Sequence, residues 1–494
     1  MSNWQAVIGL EVHAQLRTES KLFSNAPTAF GARPNDQTSP VCLGLPGALP
    51  VINEEAVRLA IAAGLATGCT IAHRSIFARK SYFYPDLPKG YQISQFAKPL
   101  CLDGHLEVPT SEGTVTAKII RIHMEEDAGK SIHGEGNAHT SHIDLNRAGT
   151  PLIEIVGAPD LHSADHAADY LRELRAILIY TGVCDGNMEQ GSLRCDANVS
   201  VRKNGTTTLG TRCEIKNINS FRGVRDAINY EIARQIRLIE AGDKVVQQTR
   251  LWDADRGRTE AMRGKEEAHD YRYFPDPDLP PLVVSQATID AIAADLPELP
   301  RTRRERLISR GVAADVAANL CEERSRVDAF ENALGPTRDA ESTRSAAGFV
   351  ISRVVGAMNQ SERTWTDLES AMGPLLQAHD RWRAGKLSNK MLKDALNKAL
   401  SATTPLSDAL TAALATAGEV VSDSGALQPV IDALLAQHAA KADEYRAGKT
   451  KLFGFFMGQV MRQLKGQADA KTVIALLRQS LDNQSRNNES LDNG

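Results

Sequence analysis

One short stretch of this chain limits its possible folds more than any other: residues 121–131, which read R-I-H-M-E-E-D-A-G-K-S. It follows an apolar run and packs a histidine, three consecutive carboxylates and a lysine into eleven residues. Burying so many charges is costly unless a cation or an opposite charge compensates them. A polyphosphate with its divalent metal would supply both. These residues are therefore the first candidates for a site.

The stretch is not a P-loop, although it ends in Gly129-Lys130-Ser131. The P-loop pattern G-x-x-x-x-G-K-[ST] requires glycine where this chain has Met124. The same pattern fails at Gly448-Lys449-Thr450, because Asp443 stands in place of the first glycine. A nucleotide bound here would be held by another kind of site.

Alternation within the stretch leaves the orientation of its acids open. If Ile120, Ile122 and Met124 face the core, Glu126 continues that face and Glu125 lies opposite. Either the strand ends near residue 124, or Glu126 points inward and needs a partner. Alternation alone does not choose between these two arrangements.

Length and composition indicate a globular protein of about three domains, since domains run roughly 100–200 residues. The chain has 494 residues, of which 42% are hydrophobic. No apolar run approaches the ~20 residues of a membrane span. A strand pattern begins by Val7, which leaves no room for a signal or transit peptide. Seven cysteines without C-x-x-C spacing favour a reducing, cytoplasmic compartment over a disulfide framework.

Prolines and composition shifts predict the domain boundaries. Pro297 and Pro300 mark the end of a strand-rich region, and Thr403-Thr404-Pro405 break the helical region that follows. We expect a domain over residues 1–295, a helical domain over 296–405 and a small helical module over 406–481. Residues 482–494 are rich in Asn, Ser and Asp, which predicts a disordered tail.

Residues 7–16 alternate strictly and predict a strand with a polar face. Glu11 and His13 share that face, about 6.6–7 Å apart along the strand. A cation between them could bind both side chains. The alternative is a solvated sheet face, which this strand alone favours.

Cations and aromatic residues are interleaved in residues 77–95. Arg79, Lys80 and Lys89 lie among three tyrosines and Phe83. This mixture suits stacking combined with phosphate or carboxylate binding. An aromatic-rich loop with ordinary surface lysines explains it equally well.

The cleanest alternation covers residues 191–202 and favours a functional face. Arg194, Asp196 and Asn198 lie on one side, and a solvated face would more often carry Lys, Glu and Thr. Residues 212–221 also carry polar residues that suit a functional face, among them Lys216.

Two helices follow polar strands, each with a serine as the expected N-cap. Ser163 precedes an apolar stripe, and Ser220 precedes a second stripe predicted to be core. The second stripe comprises Val224, Ile228, Ile232, Ile236 and Ile239. Strands and helices together predict an α+β N-terminal domain.

The C-terminal region is basic. Between Arg446 and Arg478 seven basic residues face one acid, Asp469. A helical module with a basic face suits contact with an RNA backbone. A solvated amphipathic helix is the alternative.

Long motifs in the chain resemble the GatB family, one of the three subunits of the heterotrimeric glutamyl/aspartyl-tRNA amidotransferases, along essentially the whole length. The matching stretches are V-I-G-L-E-V-H, R-K-S-Y-F-Y-P-D-L-P-K-G-Y-Q-I-S-Q, H-M-E-E-D-A-G-K-S, D-L-N-R-A-G-T-P-L-I-E-I-V, G-S-L-R-C-D-A-N-V-S-V-R, E-I-K-N-I-N-S-F and D-Y-R-Y-F-P-D-P-D-L. The resemblance implies an antiparallel-sheet cradle similar to glutamine synthetase, then an all-helical domain and a small helical tail domain.

The resemblance also implies an activity, that of a carbon–nitrogen ligase with glutamine as nitrogen donor. Members of the family use ATP and magnesium to phosphorylate the side-chain carboxylate of Glu-tRNA(Gln) or Asp-tRNA(Asn). Ammonia from the amidase (glutaminase) partner then displaces the phosphate, and a third, small partner chain completes the heterotrimer. The chain lacks a G-x-S-x-G elbow or a serine-rich amidase signature, so a partner must release the ammonia.

Carried over by motif, the resemblance implies four sets of site residues. The catalytic set is Lys80, Lys89 and Glu126. The metal set is Glu11, His13, Glu126 and Asp255. The set for ATP or substrate is Arg194, Asp196, Asn198 and Lys216. The tRNA-binding set is Lys449, Lys451, Arg462 and Lys465.

The chain departs from the family pattern in two places. Ser39 replaces the first cysteine of C-P-V-C, which argues against zinc there. Ala254 replaces an acid that follows Asp253 in relatives, so Asp255 or Asp253 becomes the candidate fourth metal ligand.

Two other functions fit parts of the chain. An RNA-binding scaffold with a vestigial acidic site would not need the intact acids and lysines. A stand-alone amide ligase acting on a small amino acid would not need the basic C-terminal module.

Overall fold

The computed structural model describes residues 3–133, 140–262, 271–336, 339–358, 360–464 and 467–489. It divides into two compact units, Met1–Arg303 and Arg304–Gly494. The division falls shortly after the boundary predicted at residue 295. The further boundary predicted after residue 405 stays a prediction.

The secondary-structure elements follow the predicted order of strands, then helices. The strands are β1 Trp4–Gln15, β2 Thr70–Ile71, β3 Arg74–Ser75, β4 Ala78–Ser81, β5 Tyr91–Ser94, β6 Cys101–Thr110, β7 Gly113–Glu126, β8 Lys130–His133, β9 Ser141–Asp144, β10 Pro151–Gly157, β11 Leu193–Lys203, β12 Cys213–Ile218, β13 Thr249–Asp253, β14 Arg258–Ala261, β15 Phe274–Pro275 and β16 Leu282–Val283. The helices are α1 Glu54–Ala66, α2 Ala164–Tyr180, α3 Phe221–Glu240, α4 Gln286–Ala294, α5 Pro300–Ser309, α6 Ala314–Leu320, α7 Arg324–Leu334, α8 Ala340–Gly348, α9 Val355–Met358, α10 Trp365–Arg383, α11 Asn389–Leu400, α12 Leu406–Ala417, α13 Ser424–Gln437, α14 Ala439–Arg446, α15 Phe453–Gln463 and α16 Ala470–Glu489.

The main sheet of the N-terminal unit has 12 strands, with β1 near its middle; β16 with β3 and β8 with β9 form two small separate sheets. Its main path runs β14-β13-β12-β11-β1-β10-β7-β5-β4-β15, and β6 pairs with both β7 and β2. The pairs along this path are antiparallel as predicted, except that β12 and β13 run parallel. The α+β architecture is therefore confirmed, with a mixed sheet.

The apolar face of the sheet is covered by helices. Ile8, Leu10 and Val12 of β1 pack in one core with Leu171 and Leu174 of α2. Because side chains alternate along a strand, Glu11 and His13 lie on the opposite face. Both serine N-caps are confirmed, because Ser163 accepts a hydrogen bond from the first turn of α2 and Ser220 does so for α3.

A β-bulge corrects the predicted alternation in β7. Arg121 pairs with Val156, but the next residue of β10, Gly157, pairs with Ile119. Ile120 is thus the extra residue of the bulge and is 47% exposed, whereas Ile119 and Ile122 are buried. Beyond the bulge the strand continues to Glu126, whose side chain points inward.

The stripe predicted as core on α3 is wrong in its second half. Val224 and Ile228 are fully buried, but Ile236 and Ile239 are only half-buried. Instead Glu231 is buried, and it accepts hydrogen bonds from Arg234 at 2.6 Å and Gln235 at 2.9 Å. An acid is tolerated there because these donors and Arg250, 3.4 Å away, compensate its charge.

Within the described residues, the secondary-structure elements that begin after Arg304 are all helices. A six-residue π-helical segment, Phe349–Val354, joins α8 to α9. Helix α16 extends to Glu489, so residues 482–489 are helical where the composition predicted disorder. The helix propagates cooperatively from its packed part, which includes Val473, Leu477 and Leu481.

All seven cysteines are buried and free, in agreement with the expected lack of a disulfide framework. Among the described residues, no helix combines the length and apolar character that a bilayer crossing requires.

Candidate active site

A row of three polar residues crosses the centre of the sheet. His13 of β1 lies opposite Glu154 of β10, and Glu154 lies opposite His123 of β7. Glu125 is two residues beyond His123 and therefore points to the same side. The register of three strands thus brings two imidazoles and two carboxylates together.

His13, Glu125 and Glu154 form a compact donor cluster. Each offers a ligand atom, and these atoms lie within 4.8 Å of one another. His13 Nε2 is 3.6 Å from Glu125 Oε1 and 3.5 Å from Glu154 Oε2. The Glu125 and Glu154 side chains are only 4% and 14% exposed. This face is therefore not the solvated sheet face that β1 alone favoured.

Electrostatics within the cluster tie the imidazoles to the carboxylates. Burial acts to lower the pKa of His13, but the hydrogen bond and charge of Glu154 and the charge of Glu125 outweigh it and raise that pKa. Burial acts to raise the pKa of Glu154, yet hydrogen bonds from His123 and His13 hold it well below its usual value. A positive charge on the His13 imidazole is therefore favoured beside the two carboxylates.

A second polar group continues the face toward the β14 edge of the sheet. Asn198 Nδ2 donates to Glu11 Oε1 at 2.9 Å. Lys216 Nζ lies 2.5 Å from Asp196 and 2.8 Å from Glu214. Burial and the charge of Glu154 raise the pKa of Glu11, so this carboxylate also favours a nearby cation.

Arg194 lies between the two groups. It is opposite His13 in the register, and its Nη2 donates to Asp127 Oδ2 at 2.8 Å. Asp127 also accepts from Gln15 Nε2 at 3.1 Å. Arg194 is thus held in place by the last carboxylate of the 121–131 stretch.

Lys80 borders the acidic cluster among aromatic rings. Its Nζ lies 4.9 Å from the Tyr271 ring centroid and 5.8 Å from that of Tyr82. Burial acts to lower the pKa of Lys80, but the charges of Glu125 and Glu154 raise it, so the amine stays protonated. The structure therefore places a cation beside the cluster.

Glu126 is not part of the donor cluster. Its side chain forms a buried ion pair with Lys89 and accepts from the Ile93 backbone N–H at 2.9 Å. Of the two arrangements left open by the alternation, the inward glutamate with a partner is the correct one. The structure brings Glu125 to His13 in the position where Glu126 was expected.

Asp255 is also separated from the cluster. It is exposed in the turn between β13 and β14, and β13 is three strands away from β1. At about 4.8 Å per strand, that distance is too long for a shared ion. Asp253 instead lies 3.6 Å from Arg256 in the same turn.

Comparison with known proteins accounts for nearly the whole chain. The family model described as the GatB/GatE catalytic domain matches residues 6–290, and the GatB domain model matches residues 295–481. The chain belongs to the GatB family. The cluster of His13, Glu125 and Glu154 lies within the part matched by the catalytic domain.

Curated relatives match over their full length. The B subunit of the aspartyl/glutamyl-tRNA(Asn/Gln) amidotransferase from Geobacter sulfurreducens is 50% identical, over 97% of this chain and 99% of its own. The protein of the same name from Myxococcus xanthus is 49% identical, with the same coverage.

The predicted tRNA-binding residues lie in the second GatB domain. Lys451 and Arg462 are exposed, and Lys449 Nζ is 3.1 Å from Glu444. Lys465 lies outside the described residues. Their role in binding RNA stays a prediction.

The sequence marked residues 121–131 as a candidate site, but the predicted metal set took Glu126 from it rather than His123 or Glu125, and Glu154 was missed. The available signal was one acid, Glu154, within the apolar strand L-I-E-I-V. A lone acid in a central strand can be recognised as part of a site only when the pairing register, which here places it between two histidines, is known.

Proposed function

We propose that this chain is the tRNA-modifying subunit of an ATP-dependent amidotransferase. It would phosphorylate the side-chain carboxylate of Glu-tRNA(Gln) and/or Asp-tRNA(Asn), and ammonia would then displace the phosphate to give the amide. The name of the curated relatives supports the tRNA substrate. The observation that carries the proposal is the buried cluster of His13, Glu125 and Glu154 on a cation-lined face.

The cluster suits a divalent cation. Two carboxylates and one imidazole within 4.8 Å offer a mixed oxygen and nitrogen donor set. Glu125 and Glu154 are buried side by side, which is costly without a positive charge between them. A bound magnesium ion would supply charge neutralisation for a transferring phosphoryl group.

The cations around the cluster fit the other needs of phosphoryl transfer. Lys80 and Arg194 carry positive charge beside the acids, and Asp127 orients the Arg194 guanidinium. A guanidinium fixed in this way can hold a phosphate or a carboxylate in one orientation. We assign Lys80 and Arg194 to this positioning, and Lys216 with Asn198 to the more distant part of the nucleotide or the tRNA end.

The proposal requires partners. Because this sequence lacks an amidase signature, ammonia would come from an amidase (glutaminase) partner, and a third, small partner chain would complete the assembly. Water competes with ammonia for an activated acyl group, so excluding water protects the intermediate from hydrolysis. The buried face of the sheet is suited to that exclusion.

The assembled complex provides the test. With Glu-tRNA(Gln), ATP, magnesium and glutamine it should form Gln-tRNA(Gln). Glu125→Gln keeps the shape of the side chain but removes a charge from the cluster, so transamidation should fall by at least about 100-fold, the loss typical of a removed electrostatic contact. Glutaminase activity should persist.

Glu107→Gln is the matched control, because Glu107 lies on β6 outside the cluster. It should leave both activities unchanged. Transamidation at the full rate by Glu125→Gln would contradict the proposal.

A further inference from the structure

Lys21 is a fully buried lysine outside the donor cluster. Its Nζ has two long contacts, 3.5 Å to Cys42 Sγ and 3.4 Å to the Leu145 carbonyl oxygen. Neither contact is to a carboxylate; the charges of Glu126 and Asp144 favour the ammonium, but the burial of a side chain with no exposed surface outweighs them. Burial lowers the pKa of Lys21, which increases the fraction of neutral, nucleophilic amine.

Hydroxyl groups also converge on the Cys42 sulfur. Ser39 Oγ lies 3.1 Å from it and Ser24 Oγ lies 3.7 Å from it. Cys42 is 4% exposed, and Gly44, two residues further along the same loop, is exposed. A neutral amine beside a thiol can accept its proton, and the thiolate is the form that reacts with oxidants.

The chain has six other cysteines. Burial raises the pKa of five of them, which keeps them protonated and unreactive: Cys69, Cys101, Cys184, Cys195 and Cys213. Cys213 has a nitrogen at a similar distance, since Arg234 Nη2 lies 3.4 Å from its sulfur. That nitrogen belongs to a guanidinium, which remains charged and is not a nucleophile.

We propose that Lys21 and Cys42 form a reversible covalent cross-link when the protein meets a peroxide. The Cys42 thiol is first oxidised to the sulfenic acid, and hydrogen peroxide is reduced to water. The neutral Lys21 amine then attacks the sulfenyl sulfur. An S–N bond forms, the S–O bond breaks, and the oxygen leaves as water with a proton from the nitrogen. The sum is one thiol, one amine and one peroxide giving one sulfenamide and two waters.

The cross-link would fasten a loop that contacts the Lys89–Glu126 ion pair. A Cβ placed on Gly44 would lie 2.9 Å from Lys89 Cγ, so the loop backbone packs directly on that side chain. A Cβ on Gly149 would lie within 4 Å of the Lys21, Cys42 and Glu126 side chains at once. Oxidation at Cys42 is therefore coupled by packing to Glu126.

Peptide mass spectrometry of the full-length protein tests this directly. After treatment with hydrogen peroxide, the Lys21 and Cys42 peptides should appear joined, about 2 Da lighter than their sum through loss of two hydrogens. A dithiol reductant should separate them. The tandem spectrum of the parent protein identifies the linked residues without any variant, and it does so whether or not the proposed function holds.

Two variants sharpen the result. Lys21→Arg keeps a cation beside the sulfur but cannot form the S–N bond, so Cys42 should stop at a sulfenic acid that dimedone traps. Cys42→Ser should give neither product. Cys42 oxidised without a cross-link in the parent protein, or left unmodified while exposed methionines oxidise, would overturn the proposal. Cross-linking of Cys213 would contradict the role given to the lysine.

Discussion

At the scale of single residues, adjacent glutamates have different tasks. Glu125 joins the donor cluster, whereas Glu126 neutralises Lys89 in the interior. The alternation of β7 predicted that an inward Glu126 would need a partner, and Lys89 is that partner. The sequence could not identify the partner, because Lys89 is far along the chain and reaches Glu126 only through the pairing of β5 with β7.

The Lys89–Glu126 ion pair should stabilise the fold rather than take part in the donor cluster. Lys89 and Glu126 side chains are 6% and 3% exposed, so Glu126→Gln leaves a buried ammonium without its counter-charge. We expect the free energy of unfolding to fall by about 3–5 kcal/mol, as measured by denaturant titration.

The double variant Lys89→Met/Glu126→Leu is the control. It removes both charges and should recover much of the lost stability. A Glu126→Gln protein as stable as the parent would show that the ion pair does not compensate a buried charge.

At the scale of elements, strand register rather than strand composition creates the site. The polar faces of β1 and β11 were predictable from alternation, and both are confirmed. Alternation could not predict the bulge at Ile120 or the parallel pairing of β12 with β13, because both depend on which strands become neighbours. Glu154 was missed for the same reason.

Asp127 shows how the elements are joined, and it makes stability depend on pH. It links the end of β7 to Gln15 of β1 and to Arg194 of β11. Burial acts to raise the pKa of Asp127, but Arg194 and Arg147 outweigh it and hold the pKa below 3.8. Asp127 therefore stabilises the fold fully at pH values above its pKa in the unfolded chain. This stabilisation is lost as the pH falls through its lower pKa in the folded protein.

We expect Asp127→Asn to lower the unfolding free energy at pH 7 by about 1–3 kcal/mol, the cost of weakened charged hydrogen bonds. The difference between the variant and the parent should shrink as pH falls below 3.8. Denaturant titrations over that pH range measure it. A difference that is constant with pH would mean that the Asp127 charge is not involved.

At the scale of the whole molecule, chemistry and RNA binding are assigned to different units. The donor cluster belongs to Met1–Arg303, and the exposed cations predicted to bind tRNA belong to Arg304–Gly494. The order of strands before helices was readable from periodicity and prolines. The helix over residues 482–489 could not be predicted from the sequence, because it continues a packed helix into a stretch whose composition is typical of disorder.

Replacing Lys449, Lys451 and Arg462 by alanine should weaken tRNA binding without affecting the chemistry. In the assembled complex the KM for tRNA should rise and kcat should stay the same. The slope of log affinity against log salt concentration should become less steep, by roughly 0.7–0.9 for each phosphate contact that is lost. Steady-state kinetics at several salt concentrations measure both quantities.

A triple alanine variant at Lys98, Lys203 and Lys244 is the matched control, because these lysines are exposed in the N-terminal unit. It removes the same charge and should not change the KM. An equal rise of the KM for tRNA in both variants would mean that only net charge matters, and that these C-terminal residues do not bind tRNA specifically.

The proposed function depends most directly on a divalent cation held jointly by His13, Glu125 and Glu154. Crystals soaked with Mn²⁺ and measured at a wavelength that gives anomalous scattering locate such an ion directly. We expect one peak about 2.0–2.3 Å from His13 Nε2 and from a carboxylate oxygen of each glutamate, and we expect Glu125→Gln to abolish it. A peak at Glu126 or Asp255 instead, or none at concentrations that support transamidation, would contradict it.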